Sequence, residues 1–276
     1  MRTPWIVLMV GVAAAWVGAM AAAGPARAGM ITLSSGDSIA QFNPESPALH
    51  FRWQVDGVNQ LREQGFWYRI GPSGGEAPLY TLGPATVKTA DFDYDGFDDF
   101  LRVKYVGAGL TAEIAYMLIG GDTGSGTSAL TESIRLTNTG TAALDLHFFQ
   151  YVDFDLNGDP DHDTLLITDE NTATQTSGPV TLAEGVDSPA PTHYQAAVYS
   201  EILKSLGDSL PTTLMDVAGP IVDGNATWAF EWDVSIVPGG TFLISKDKSL
   251  QVPEPATLVF LGLGLGGLLV QRRRAR

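Results

Sequence analysis

Ser133-Ile134-Arg135-Leu136-Thr137, then Asn138-Thr139-Gly140, then Leu144-Asp145-Leu146-His147-Phe148, is the stretch that decides the fold class. Successive side chains of an extended chain point to opposite faces. Ile134 and Leu136 therefore share one face, and Leu144, Leu146 and Phe148 share another. Asn138-Thr139-Gly140 has turn composition, so the stretch predicts two antiparallel strands, the second returning beside the first.

The same signature recurs on both sides. Runs rich in β-branched and aromatic residues lie at Leu49–Val55, Gly65–Ile70, Phe100–Val106, Leu110–Ile119, Ala129–Leu136, Ala143–Tyr151, Leu165–Thr168, Ala226–Ile236 and Thr241–Ser245, separated by Gly, Asn, Asp and Thr. That many short runs predict an all-β protein, an antiparallel β-sandwich. One short helix is expected over Tyr194–Leu206, where Ala197, Val198, Ile202 and Leu206 recur near helical spacing and Gly207 can cap the end. Val186–Thr192, with Pro189 and Pro191, reads as a loop, and no solenoid or propeller repeat is present.

Residues 1–28 carry Arg2, an apolar stretch from Trp5 to Ala23, and Ala26-Arg27-Ala28 before Gly29. This is the pattern of a secretory signal peptide with Ala26 and Ala28 at its cleavage site. Residues 29–250 then form the folded domain. Between Gly29 and Gln271 ten lysines and arginines face all 31 acids, a net charge of about −21. A body of that sign is no partner for nucleic acid. The chain has no cysteine, which excludes thiol chemistry and disulfides, so an exported body relies on its core and on any metal it holds.

Two acidic stretches carry the chemistry of the middle. The first runs Asp91-Phe92-Asp93-Tyr94-Asp95-Gly96-Phe97-Asp98-Asp99; the second holds Asp153, Asp155, Asn157, Gly158, Asp159, Asp161, His162 and Asp163. Carboxylates at positions 1, 3 and 5 with glycine at 6 let side-chain oxygens converge on a hard cation. Position 12, where an EF-hand has a bidentate acid, is Arg102 in one and Thr164 in the other, so neither is an EF-hand. The expected cofactor is Ca²⁺, held by Asp91, Asp93, Asp95, Asp98 and Asp99, and by Asp153, Asp155, Asn157, Asp159 and Asp161. The competing reading is a pair of solvated turns, since Asp, Asn and Gly are turn residues.

Catalytic signatures are sparse. His50, His147, His162 and His193 show no metalloprotease spacing, and neither a nucleophile elbow nor a dinucleotide fingerprint occurs. His147 alternates with Asp145 and Phe149 on one strand face. Trp53, Trp67, Tyr68, Trp228 and Trp232 lie in predicted strands; two exposed ones could stack on sugars, but core packing is the default for a strand tryptophan.

The C-terminus reads Val252-Pro253-Glu254-Pro255-Ala256, an apolar run to Val270, then Arg272, Arg273, Arg274 and Arg276. This tripartite tail resembles the PEP-CTERM sorting signal. The resemblance implies an exported protein of the Gram-negative envelope, handled at the inner membrane by the protease-transpeptidase exosortase and often linked to exopolysaccharide or biofilm. Ala256–Val270 is 15 residues, about 22 Å as a helix against about 30 Å of bilayer hydrocarbon. A transmembrane helix over about 256–270 is thus short for a permanent anchor. The arginines would keep the basic tail cytoplasmic and the body outside. The expected function is an exported envelope or matrix protein with no catalytic activity evident, the sorting signal occupying 251–276. The alternative is a secreted carbohydrate-binding or carbohydrate-active protein on the same sandwich.

Overall fold

The computed structural model describes residues 29–253. The expected signal peptide, the transmembrane segment and the basic tail lie outside the described residues. In chain order the strands are β1 (Ile31–Ser35), β2 (Ser38–Phe42), β3 (His50–Val55), β4 (Val58–Asn59), β5 (Leu61–Ile70), β6 (Ala77–Pro78), β7 (Thr86–Ala90), β8 (Phe100–Val106) and β9 (Leu110–Gly120). They continue as β10 (Thr127–Asn138), β11 (Leu144–Phe154), β12 (Asp163–Thr168), β13 (Thr172–Ser177), β14 (Val180–Ser188), β15 (His193–Val198), β16 (Ile221–Gly224), β17 (Ala226–Ile236) and β18 (Thr241–Gln251). Among the described residues a single α-helix, α1 (Glu201–Leu206), lies between β15 and β16. Among the described residues no helix is long and apolar enough to cross a membrane.

The strands form two antiparallel sheets of nine. The first has the order β1-β2-β3-β5-β11-β17-β15, with β4 on β3 and β6 on β5; the second has the order β16-β12-β13-β14-β18-β10-β9-β8-β7. Alternation decides what each strand buries. Leu130, Ile134 and Leu136 of β10 turn inward beside Leu110, Ala112, Ile114 and Leu118 of β9, and meet Phe66, Phe148, Trp228, Phe230 and Trp232 from the first sheet. The expected β-sandwich is what the chain forms, and the strand tryptophans Trp53, Trp228 and Trp232 are in its core.

Three local expectations are corrected. The deciding stretch does contain two strands, but β11 does not return beside β10. β10 is already paired on both edges, by β9 and β18, so β11 crosses to the other sheet and pairs with β5 and β17. Asn138 organises that crossing: its Nδ2 donates to the carbonyls of Ala142 and Ile236, and its Oδ1 accepts from Gly140 N at 2.9 Å. The second correction is the helix over Tyr194–Leu206. Its first half is β15, whose Tyr194–Val198 register runs along Phe230–Ala226 of β17, and only Glu201–Leu206 is helical beyond Ser200 at φ 72°. The pattern spanned two elements because Ala197, Ile202 and Leu206 bury against the same outer face of the first sheet. The third is Val186–Thr192, whose first three residues complete β14.

The interior also holds charge. Glu132 of β10 lies opposite Lys246 of β18, and Glu184 of β14 lies opposite Lys248. All four side chains are fully buried and ion-paired between the sheets. Gln64, Gln150 and Trp228 Nε1 of the first sheet donate to the two glutamates. Both lysines sit on the inward parity of β18, with Ile244 and Leu250.

Candidate functional sites

The first acidic loop joins β7 to β8 and folds on its own carboxylates. Asp91 accepts from Tyr94 N at 2.7 Å and Gly96 N at 2.9 Å; Asp93 accepts from Asp95 N at 3.2 Å. Buried Asp99 accepts from Phe92 N at 3.0 Å and Asp93 N at 3.1 Å. Tyr94 and Gly96 take positive φ, 61° and 96°, which is where the sharp turn falls. As a result Asp91, Asp93 and Asp99 each present an oxygen within 4.8 Å of the others. Asp95 instead caps Phe97 N at 2.8 Å, and Asp98 contributes its backbone carbonyl to Ser34 N of β1. Asp93 is held above the usual carboxylate range by desolvation and by the charges of Asp95, Asp99 and Asp91. Tyr94 and Phe97 stand exposed at the tip.

The second acidic stretch divides in two. Asp153, on β11, is fully buried with both carboxylate oxygens lacking a hydrogen-bond partner; Arg62 Nε lies 3.5 Å from Oδ2. Burial, then Asp155 and Glu63, push its pKa up to about 8. Asp163 is also buried. Its Oδ2 accepts from Gln175 Nε2 at 2.6 Å, Oδ1 has no partner, and burial raises it to about 7. Asp159 and Asp161 are exposed, and Asn157 is engaged with Ser177 O and Gln60 Oε1. Asp155 connects the halves, raising Asp153 and Asp163 while being raised by desolvation, Asp159 and Asp161. Asp153 and Asp163 are therefore the buried carboxylates of this group, with Glu63 and Asp155 half-buried beside them. Sequence spacing pointed to Asp153 and Asp155 but not to Glu63, which β5–β11 pairing sets opposite Asp153.

A third cluster lies on the outer face of the first sheet. Register puts Arg69, His147 and Asp233 in one row across β5, β11 and β17, and Phe149, Glu231 and His193 in the next. Residues 199–217 pass over this face. Ile202, Leu206 and Leu214 pack on Trp67, Phe149, Tyr151, Ala197 and Ala229. Arg69 and Glu76 pair at 2.8 Å and both bind Thr212, Leu214 N donates to Glu231 Oε2 at 2.8 Å, and Asp216 binds His193. His147 Nδ1 is hydrogen-bonded to Asp233 Oδ1 and stands 3.9 Å from Glu231 Oε1. Burial, with the nearby Asp233 charge, pushes Glu231 up to about 8. Among the described residues, this group and that of Asp91, Asp93 and Asp99 are the two that gather three donors. His162 stays on the surface, its Nδ1 2.6 Å from Asp223.

The fold defines the class as a two-sheet antiparallel β-sandwich. Its backbone is similar to a bacterial glucoamylase solved with acarbose, at TM-score 0.56 and 10% identity, covering 88% of this chain and 35% of that one. It is also similar to a putative aldose 1-epimerase from Escherichia coli K12, at TM-score 0.53 and 13% identity, covering 82% and 99%. The chain thus spans about a third of the glucoamylase, and at these identities the likeness is one of fold. No curated protein sequence matches the chain. Residues 251–274 match the PEP-CTERM protein-sorting motif, so the chain carries that motif. The match implies sorting by exosortase. It includes Val252, Pro253, Glu254, Pro255, Ala256 and Arg272–Arg274, and starts on Gln251, the last residue of β18.

Proposed function

We propose that this chain is an exported envelope or extracellular-matrix protein whose sandwich is delivered and processed by exosortase through residues 251–274, and which works as a binding or structural body. The observation that carries the reading is the junction: the matched motif begins on the final residue of the last strand. The sandwich through Leu250 therefore stands ahead of the matched segment, of which Gln251 and Val252 still belong to the last ladder. Ca²⁺ bound by Asp91, Asp93 and Asp99 would brace the β7–β8 loop of a protein without cysteine. The test is intact mass of the full chain expressed with and without a co-expressed exosortase. Loss of the tail only with the enzyme, blocked by alanine at Pro253, Glu254 and Pro255, supports the reading; the same mass in both hosts removes it.

A saccharide-binding body is the second reading. The fold likeness to a glucoamylase and an aldose 1-epimerase favours it. The strand tryptophans are buried, and the most exposed aromatic side chains among the described residues are Tyr94 and Phe97 in the acidic loop. Titration with soluble exopolysaccharide, wild type against Tyr94→Ala/Phe97→Ala, tests it.

A further inference from the structure

We propose that His147, Glu231, Asp233 and His193 form a binding site for a divalent transition-metal ion on the outer face of the first sheet. The donors come from adjacent strands, β11, β17 and β15, so their positions are set by sheet register and not by loops. His147 Nδ1 is bonded to Asp233 Oδ1 and lies 3.9 Å from Glu231 Oε1; His193 Nε2 lies 3.9 Å from Asp233 Oδ2. Metal–ligand bonds of about 2.0–2.2 Å place tetrahedral donors roughly 3.3–3.5 Å apart, within a small side-chain adjustment of these separations.

Two independent features point to a cation. Glu231 is fully buried; its Oε2 takes the Leu214 amide, whereas Oε1 faces His147 without a hydrogen-bond partner. A buried oxygen left open in this way is costly unless something answers it. His193 presents Nδ1 to the Asp216 carboxylate, at 3.0 Å to each oxygen, and turns Nε2 toward Asp233. A carboxylate on the far ring nitrogen is how metal-binding imidazoles are oriented and made better donors. Mixed imidazole and carboxylate donors suit Zn²⁺, Co²⁺ or Ni²⁺ and not the all-oxygen preference of Ca²⁺. The bound ion would tie three strands together beneath the 199–217 cover in a chain without disulfides.

The test uses the untagged full chain in mild detergent, stripped with chelator and titrated with Zn²⁺, then with Co²⁺, whose visible absorption reports nitrogen–oxygen coordination. One ion per chain is expected, undisplaced by millimolar Ca²⁺. His147→Ala and His193→Ala should each weaken binding at least tenfold, and Asp216→Asn by about 10- to 100-fold. Asp91→Ala/Asp93→Ala should leave it unchanged, separating this site from the acidic loop. Because both histidines are partly exposed, their variants keep the test valid if Glu231→Gln fails to fold. Absence of binding, meaning that the carboxylates share only a proton, overturns the proposal; so does binding that survives both histidine variants.

Discussion

Replacing Lys246 by methionine tests the charged interior. The methionine nearly matches lysine in length, so the change removes charge more than volume. Lys246 Nζ lies 2.5 Å from Glu132 Oε1 and 3.3 Å from Glu184 Oε1 and is also hydrogen-bonded to Gln150; all the groups are fully buried. Burial alone would raise Glu132, yet Lys246 and Lys248 hold its pKa at about 2. Without Lys246, two buried carboxylates share one ammonium. Removing one partner of a buried pair costs about 3–5 kcal/mol, a large part of the roughly 5–15 kcal/mol that holds a domain together. In a domain of this size that corresponds to a fall in Tm of about 6–20 °C. Urea unfolding at pH 7 should show a lower midpoint with an unchanged m-value. Lys246→Met/Glu132→Gln restores neutrality with one lysine and one glutamate, and should recover more than 1 kcal/mol relative to the sum of the single changes. A Lys246→Met loss under 1 kcal/mol, or strict additivity in the double variant, would refute the reasoning.

Three more outcomes are expected. His50 is buried against Phe42 and held neutral, its pKa lowered to about 3 by burial and by Lys248. The unfolded chain takes up this proton below about pH 6.5 and the folded chain does not, so the advantage of wild type over His50→Gln should shrink by about 1.4 kcal/mol per pH unit below that point; a constant difference from pH 7 to 5 contradicts it. Ca²⁺ should raise Tm, and Asp93→Asn should abolish the rise while Asp95→Asn, whose carboxylate caps Phe97, preserves most of it; equal effects would return the loop to a solvated turn. In chelator at pH 7, Asp153→Asn should stabilise by about 1–3 kcal/mol, because the raised acid costs stability as pH climbs from its unfolded value near 4 toward 8; a lower urea midpoint would contradict this.

Face was easier to read from the sequence than neighbour. Period-2 alternation assigned the inward sides of β10 and β11, because one residue of slip would send every apolar side chain to solvent. It carried no information about which strand lies alongside, hence the mistaken hairpin between β10 and β11. β1, β2, β7 and β13 escaped because their sequences, such as Thr172-Ala173-Thr174-Gln175-Thr176-Ser177, carry few large apolar groups. The Asp91–Asp99 loop was legible since its donors lie within nine residues. The cluster of His147 with Glu231 and Asp233 was not, since strand register alone brings together residues 84 and 86 positions apart. Lys246 and Lys248 did leave a signal: they share parity with Ile244 and Leu250, the inward side of β18.

The position of β18 also sets how the molecule bears mechanical load. The strand that leads into the sorting motif is an inner one, matched to β10 along its whole length from Thr241 to Gln251 and to β14 on its other edge, and Val252 N adds a bond of 2.6 Å to Gly126 O. Tension entering at the C-terminal end, from a membrane enzyme hauling on the tail or a surface that retains it, runs along this strand and shears two ladders at once. Hydrogen bonds loaded in parallel yield together, whereas those of a terminal edge strand peel one by one. A pull on the C-terminal end of the sandwich would therefore load two ladders in shear instead of unzipping one.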